Sequence, residues 1–418
     1  MNTYPKYKDS GIEWIGEIPE HWEMKRIRHL AEIYGRIGYR GYKVTDLVQK
    51  GEGAITISPS NMKAFHMEFN SCTYLSWDKY MESPEIMIYN SDILFVKTGS
   101  TYGKSSFVQD LPEKATINPQ IIVLKNIVSD NKLLWYIIIS NNIQFQVEQS
   151  VVGGTIPTIS QARINNYLFP IPPTKTEQTA IANYLDLKTA DLDHLIAEKK
   201  QLVKLYQEEK TAIINRAVTK GINPSVNLKD SGIEWLGDIP EHWEVKKLKY
   251  VAKLKSGNNI ISQQIKEDDK YPVYGGNGLR GYFNDWTHNG RYILIGRQGA
   301  YCGNIKYTKG KFWASEHAIT LTSIIKYENL YLGELLRTMN LNQYSVSAAQ
   351  PGISVEVIKN LYIPFPQEKE QTVIIYLIEK ESQRIDAKIK KAKKYIKLLT
   401  EYRTALISEV VTGKIKVT

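Results

Sequence analysis

The chain has 418 residues, 42% hydrophobic and 23% charged, an ordinary folded composition but too long for one core, so two or three domains are expected. Its longest apolar run, Leu133 to Ile139, falls far short of the roughly 20 residues that span a bilayer, and two cysteines, Cys72 and Cys302, support neither a disulfide framework nor a metal cluster. Lys and Arg exceed Asp and Glu by 54 to 44, a net charge of +10 that favours a polyanionic partner.

The first residues, Met1-Asn-Thr-Tyr-Pro-Lys, carry no apolar signal region, so a cytoplasmic location is expected. Next comes a phrase of 14 residues, Asp9-Ser-Gly-Ile-Glu-Trp-Ile-Gly-Glu-Ile-Pro-Glu-His-Trp22. It returns 221 residues later as Asp230 to Trp243, with only Ile15/Leu236 and Glu17/Asp238 changed. A repeat at this distance means two similar halves. Trp14, Trp22 and their copies Trp235 and Trp243 are expected to be packing anchors, because buried aromatics contribute large apolar area. His21 and His242 have no second His or Cys at ligand spacing and are read as structural.

Further repeats follow in the same order in both halves. Ile93-Leu-Phe-Val-Lys-Thr-Gly99, with Gly103, aligns with Ile293-Leu-Ile-Gly-Arg-Gln-Gly299, with Gly303, at a shift of 200. Apolar β-formers leading into a glycine turn predict a strand, a loop and a returning strand. Leu133 to Asn142 and Leu330 to Met339 read as helices. Then come Ile159-Ser160 and Ile353-Ser354, with Pro-x-Pro punctuation at Pro170/Pro172 and Pro364/Pro366.

Each half closes on a long helix, opened by Glu177-Gln178 and by Glu370-Gln371 at a shift of 193. In the second helix Ile375, Ile378, Ile385, Ile389, Ala392, Ile396, Leu399, Leu406 and Val410 form a coiled-coil seam with polar gaps at Ser382 and Arg403. The first helix has matching positions, Leu192, Ile196 and Ile213 among them, with gaps at Thr189 and Lys210 and an extra defect at Lys199. A rod of this length, about 65 Å at 1.5 Å per residue, makes an antiparallel pair the simpler connection. Thr189 is then expected near Arg403, and Ser382 near Lys210.

Chemistry is missing from the pattern. Asn118-Pro119-Gln120-Ile121 is the nearest fragment to the tetrapeptide that grips a flipped adenine, and it lacks the second proline and the aromatic. Gly276-Asn-Gly-Leu-Arg-Gly281 fits the dinucleotide pattern, yet no helix start follows it, so it reads as a tight loop. Asp186 with Glu198-Lys199-Lys200 reads as a solvated helix face, and no Walker motif occurs. No metal site and no bound cofactor are expected.

Duplex sequence is read by side chains at base edges, with phosphates held by basic and small polar groups. The varied loops offer Lys97, Thr98, Ser100, Thr101, Tyr102 and Lys104 in the first half, and Arg297, Gln298, Tyr301 and Asn304 in the second. The glycines stay while the residues between them change, as for one scaffold with two readouts. A second group comprises Arg36, Tyr39, Arg40 and Lys43, and Asn258, Asn259, Gln263, Asn277 and Arg280. Gly153-Gly154-Thr155 and Gln350-Pro351-Gly352 are further loop candidates. The stretch 244–365 has 16 basic and 9 acidic residues, a net +7, whereas 23–170 has 15 and 13, or +2.

The doubled phrase, both Glu-Gln helix starts and the closing Ala405-Leu-Ile-Ser-Glu-Val-Val-Thr-Gly-Lys-Ile415 resemble the specificity (S) subunit of type I restriction-modification systems over nearly the whole chain. The first helix departs slightly, ending Thr219-Lys220-Gly221. The resemblance implies an α+β protein with two α/β target-recognition domains in pseudo-two-fold arrangement, joined by two long antiparallel coiled-coil helices. The expected borders are 1–172 and 223–366 for the recognition domains, and 173–222 and 367–418 for the spacer helices. It further implies a subunit without catalysis of its own, each domain reading half of a bipartite, asymmetric duplex DNA site. Two modification subunits carrying S-adenosylmethionine would bind the helices, and restriction subunits using ATP and Mg would complete the complex. A module of a modification-only or type II-like system, or a protein-interaction scaffold that reads no DNA, are the alternatives.

Overall fold

Each half builds its core around a central apolar strand, Ile93–Val96 in the first and Tyr292–Gly296 in the second. The usual in–out alternation is missing because both faces are covered. Ile93 and Phe95 enter one hydrophobic cluster with Leu133 to Ile138, whereas Leu94 and Val96 enter another with Ile55, Ile57 and Ile117. In the second half Ile293 and Ile295 face the larger cluster and Leu294 the smaller. The computed structural model describes residues 3–63, 66–152, 156–299, 301–345 and 352–417. The loop candidates Gly153-Gly154-Thr155 and Gln350-Pro351, and the side chain of Tyr39, lie outside the described residues.

The chain divides into two compact units, Met1–Lys199 with Lys394–Thr418, and Lys200–Lys393. The division cuts both long helices, because Ala217 and Val218 of the first belong to the second unit's core while Leu406, Ile407 and Val410 of the second belong to the first unit's. In unit 1 an antiparallel sheet runs Ser105–Phe107, Ile93–Val96, Ile121–Lys125, Glu32–Gly35, and a second sheet sets Gly53–Ile57 parallel to Ala115–Ile117. Unit 2 repeats the plan with Ala252–Ser256, Ala318–Ser323, Tyr292–Gly296 and Ile305–Thr308, and with Tyr271–Gly275 parallel to Lys311–Ala314. The expected strand–loop–strand is present in both. The first expected helix spans Asn131–Ile139, started by the Asp130 carboxylate accepting from the N–H groups of Lys132 and Leu133. It stops before the expected Asn142, and a separate helix, Asn141–Ser150, follows. Its counterpart is Asn329–Thr338.

The repeated phrase is a clamp on the start of each long helix. Glu23–Arg26 pairs with Leu168–Ile171, and Glu244–Lys247 with Tyr362–Phe365, so the chain's entry and exit strands lie side by side. That pairing brings Trp22, fully buried, to Glu177: the indole N–H donates to Oε1 over 3.1 Å, and His21 Nε2 stands 3.0 Å from Oε2. Trp243 and His242 grip Glu370 in the same way, at 3.0 and 2.8 Å. The neighbouring glutamines are bolts. Gln178 accepts from the Asp130 N–H and donates to the Pro172 carbonyl, and Gln371 does so with Glu328 and Pro366. Trp14 corrects the expectation of buried anchors: it is 52% exposed, lies on Phe145 at 5.2 Å between ring centroids, and donates to Asn142.

The long helices, Lys175–Lys220 and Glu368–Val411, pair antiparallel within each unit. In unit 2 Tyr206 meets Lys388, whereas Glu209 and Lys210, further along the first helix, meet Arg384 and Asp386, earlier on the second. In unit 1 Tyr4 donates to Glu177 at the start of the first helix, and Tyr7 donates to the Gly413 carbonyl just past the end of the second. Leu192, Ile196 and Leu406 are buried, whereas Ile213, Ile389 and Ile396 are half-buried. Arg403 pairs with Asp193, one turn from Thr189, and Lys210 with Asp386, one turn from Ser382, while Arg384 pairs with Glu209. Thr189 is buried toward its own domain, where its hydroxyl meets the Tyr136 hydroxyl at 3.1 Å.

Gly413 ends the second helix in the left-handed region, φ +73°, and an added Cβ would stand 2.3 Å from Pro19 Cδ. Gly413→Ala is expected to destabilise unit 1 by at least about 1–2 kcal/mol, since a side chain disfavours that backbone. Thermal unfolding measures this; a melting temperature equal to wild type would contradict the fit. At the end of the first helix Gly221 has the same conformation, φ +72°, one residue later relative to the repeat. That accounts for the Thr-Lys-Gly order there.

Candidate nucleic-acid interface

In unit 2 backbone hydrogen bonds clamp the loop where it opens, at Arg297. The Arg297 N–H donates to the His317 carbonyl at 2.9 Å, and the Arg297 carbonyl accepts from the Ile353 N–H at 2.9 Å and from Cys302 Sγ at 3.3 Å. A Cβ on Gly296 would stand 2.2 Å from the Gly276 carbonyl oxygen, so the turn at 276–278 packs directly on this loop. Gly276 to Gly281 is thus part of a hairpin between Tyr271–Gly275 and Gly278–Phe283, the tight loop expected. The structure therefore gathers Asn277 and Arg280, both exposed, beside Arg297, Gln298, Tyr301 and Asn304. Tyr301 is 57% exposed, Gln298 exposed, and Asn304 half-buried. Arg297 is half-buried, and among the described residues no carboxylate pairs with it. Asn258, Asn259 and Gln263 are exposed, Asn258 bridging Ser315 across from the same turn.

Unit 1 clamps its loop by the same bonds. The Lys97 N–H donates to the Gln120 carbonyl at 2.8 Å, and the Lys97 carbonyl accepts from Ile159 at 2.9 Å. Thr98 bridges Thr158, as Gln298 bridges Gly352. The Lys97 ammonium is half-buried, and burial pulls its pKa below the usual lysine range. Burial does the same to Lys104, whose ammonium donates to the Pro59 carbonyl at 3.1 Å and so ties the loop to its neighbour. Ser100 and Thr101 are exposed, while Tyr102 packs partly against the core.

Arg36 departs from the expectation of a DNA contact. It is 6% exposed, and its guanidinium donates to the Ile117 carbonyl, the Thr116 hydroxyl and the Arg40 carbonyl while lying 5.3 Å from the Tyr42 ring centre. Burial lowers its pKa. Arg36 is a strut that fixes the segment carrying Arg40 and Lys43. Arg40 pairs with Glu85 at 3.5 Å, and Lys43 is exposed.

Sequence reasoning missed Gln120 and His317, which occupy the same slot beside the two loops. The available signal was a further repeat: Asn118-Pro-Gln120 and Ser315-Glu-His317 both immediately precede the strand that pairs with the loop's leading strand. Asp186, set aside as a helix-face residue, bolts helix to domain by pairing with Lys132 at 2.5 Å and accepting from Tyr136 at 2.7 Å. Among the described residues no group of three His, Cys, Asp or Glu could hold a metal ion, and no helix is long and apolar enough to cross a membrane.

A mixed α/β body built twice on one plan, with paired helices and a clamped loop of changed polar side chains in each copy, defines a two-module α+β protein. The family model for the type I restriction modification DNA specificity domain matches residues 19–205 and 240–397, and the chain belongs to that family. It is 25% identical to the type I restriction enzyme MjaVIII specificity subunit of Methanocaldococcus jannaschii, over 96% of this chain and 94% of that one. A segment of 139 residues is 37% identical to the EcoprrI specificity subunit of Escherichia coli, covering 32% of this chain and 35% of that one. Among solved structures, a chain from a study of type I R-M complex assembly and conformational transition has the same fold, with a TM-score of 0.68 at 15% identity over 95% and 99% of the two chains. The HsdS subunit of Thermoanaerobacter tengcongensis matches with a TM-score of 0.52, also at 15% identity, over 95% and 98%.

Proposed function

We propose that each unit reads one half of a bipartite, asymmetric duplex DNA site on behalf of a type I restriction-modification complex, with no catalysis by this chain itself. The observation that carries this is the loop pair: 97–104 and 297–304 share their backbone clamps and differ in the side chains they present. Fixed backbone with changed donors and acceptors suits two readouts on one scaffold. The net charges of +2 and +7 imply that the second unit draws more of its affinity from phosphates. In this reading the helices set the gap between half-sites and dock two modification subunits. S-adenosylmethionine would reside on those subunits, ATP and Mg on restriction subunits, and the assembly would act in the cytoplasm.

Docking has a candidate surface in each unit. Leu205 in the second unit and Leu398 in the first, equivalent positions on the two helices, are 49% and 47% exposed, and Tyr395 and Tyr402 are exposed near Leu398. Leu205→Asp with Leu398→Asp is expected to weaken modification-subunit binding at least about tenfold, the ~1.4 kcal/mol scale of losing such apolar contacts. Helicity should stay at wild type. Titration of the purified partner gives the answer, and an unchanged affinity removes this surface. The function as a whole is tested by incubating the complex with randomised duplexes and sequencing those bound. A two-part site of fixed gap is expected; bound pools with no enriched sequence would leave a protein scaffold that reads no DNA.

A further inference from the structure

We propose that His317, whose counterpart in the other unit is Gln120, is a positioning residue for base readout that presets Gln298 to donate to an acceptor on a base edge. This deepens the DNA-reading function proposed above and rests on it. The two residues occupy one structural slot, since the His317 carbonyl receives the Arg297 N–H as the Gln120 carbonyl receives that of Lys97. Their side chains turn back toward the loop they clamp.

In unit 2, His317 Nδ1 lies 2.7 Å from Gln298 Oε1, and Nε2 lies 3.0 Å from Glu316 Oε1. A side-chain carbonyl oxygen only accepts, so Nδ1 carries the proton of that bond. That bond draws Gln298 Oε1 inward. The Gln298 side chain is exposed, so its amino group is the part left to face a ligand. An untethered glutamine matches adenine by accepting from N6 and donating to N7. A glutamine whose oxygen is engaged offers a donor instead. Its complement is guanine O6 or N7, adenine N7 or thymine O4; cytosine, which presents only an amino donor in the major groove, is refused.

Unit 1 fills the same slot with a different contact. Thr98 takes the place of Gln298, and Gln120 Oε1 accepts from Asn118 Nδ2 at 3.2 Å. Its amino group faces the loop, where a Cβ on Gly99 would stand 3.1 Å from Gln120 Nε2. Glycine at 99, φ +101°, leaves room for that approach.

The test uses the chain assembled with its modification partner and a pool of randomised duplex DNA, with bound sequences compared for wild type, His317→Ala, Gln298→Ala and the double variant. His317→Ala should reduce preference at one base position of one half-site by at least about fivefold, the low end of a good side-chain–base contact. Cytosine should become tolerated there and every other position stay as in wild type. Gln298→Ala should act at the same position, and the double variant should be no worse than Gln298→Ala alone. His317→Asn, which keeps a donor, should recover part of the preference. The proposal is overturned if His317→Ala leaves that preference intact, acts at another position than Gln298→Ala, or weakens all sequences equally with the motif unchanged. A wild-type complex that selects no motif would overturn the DNA-reading function itself, and it shows before any substitution is made.

Discussion

Trp243→Ala is expected to destabilise the second unit by about 3–5 kcal/mol, as large-to-small changes at a fully buried aromatic do. The loss of its N–H bond leaves Glu370 without that partner, adding about 1–3 kcal/mol. Trp243 packs edge-on against Tyr331 at 6.5 Å between centroids, and the single hydroxyl proton of Tyr331 lies between the Val218 and Pro364 carbonyls. The two rings together therefore tie the phrase to the end of the first helix and the exit strand. A domain is stable by about 5–15 kcal/mol, so this change removes a large share of it. Hydrogen exchange should show protection lost in residues 244–365 and kept in 23–170. Trp243→Phe should cost markedly less, because most apolar area remains. Equal protection in both stretches after Trp243→Ala would show that the phrase anchors nothing.

Insertion of four residues into each long helix, between Lys199 and Lys200 and between Lys393 and Lys394, should lengthen the gap in the DNA site by about two base pairs, since one turn adds about 6 Å and a base pair about 3.4 Å. These points are where the two units divide, so each unit keeps its own helix pairing, Asp193 with Arg403 and Lys210 with Asp386. The bases read on either side should not change. The readout is the site recovered from modified genomic DNA, and an active insertion variant with the original gap would remove the ruler.

Much of the fold was legible because its constraints are local and doubled. Apolar runs ending in glycine loops, and a 3–4 seam on two helices, state their structure in sequence. The Glu-Gln pairs were visible as repeats, but their work was not, since Trp22 reaches Glu177 only after the entry and exit strands pair. The polar gaps in the seam do not reveal which partner each side chain takes: Thr189 serves its own domain, and Arg403 reaches Asp193 one turn along. Arg36 was misread for a related reason. An arginine satisfied by carbonyls of distant residues, Ile117 foremost, looks in sequence like a free cation. Gln120 and His317 were missed because only the sheet brings them to the loops they flank.

The most direct measurement is methylation profiling of a host genome with this chain and its modification partner, repeated with Arg297→Ala and with Lys97→Ala. Wild type is expected to give a two-part adenine-methylated motif. Arg297→Ala should relax one position in one part, a loss of about 1–3 kcal/mol if Arg297 grips a guanine. Lys97→Ala should alter only the other part. If Arg297 holds a phosphate instead, affinity falls evenly and the salt dependence of binding drops by about one unit. An undivided motif, or either substitution changing both parts together, would contradict two units that each read their own half of the site.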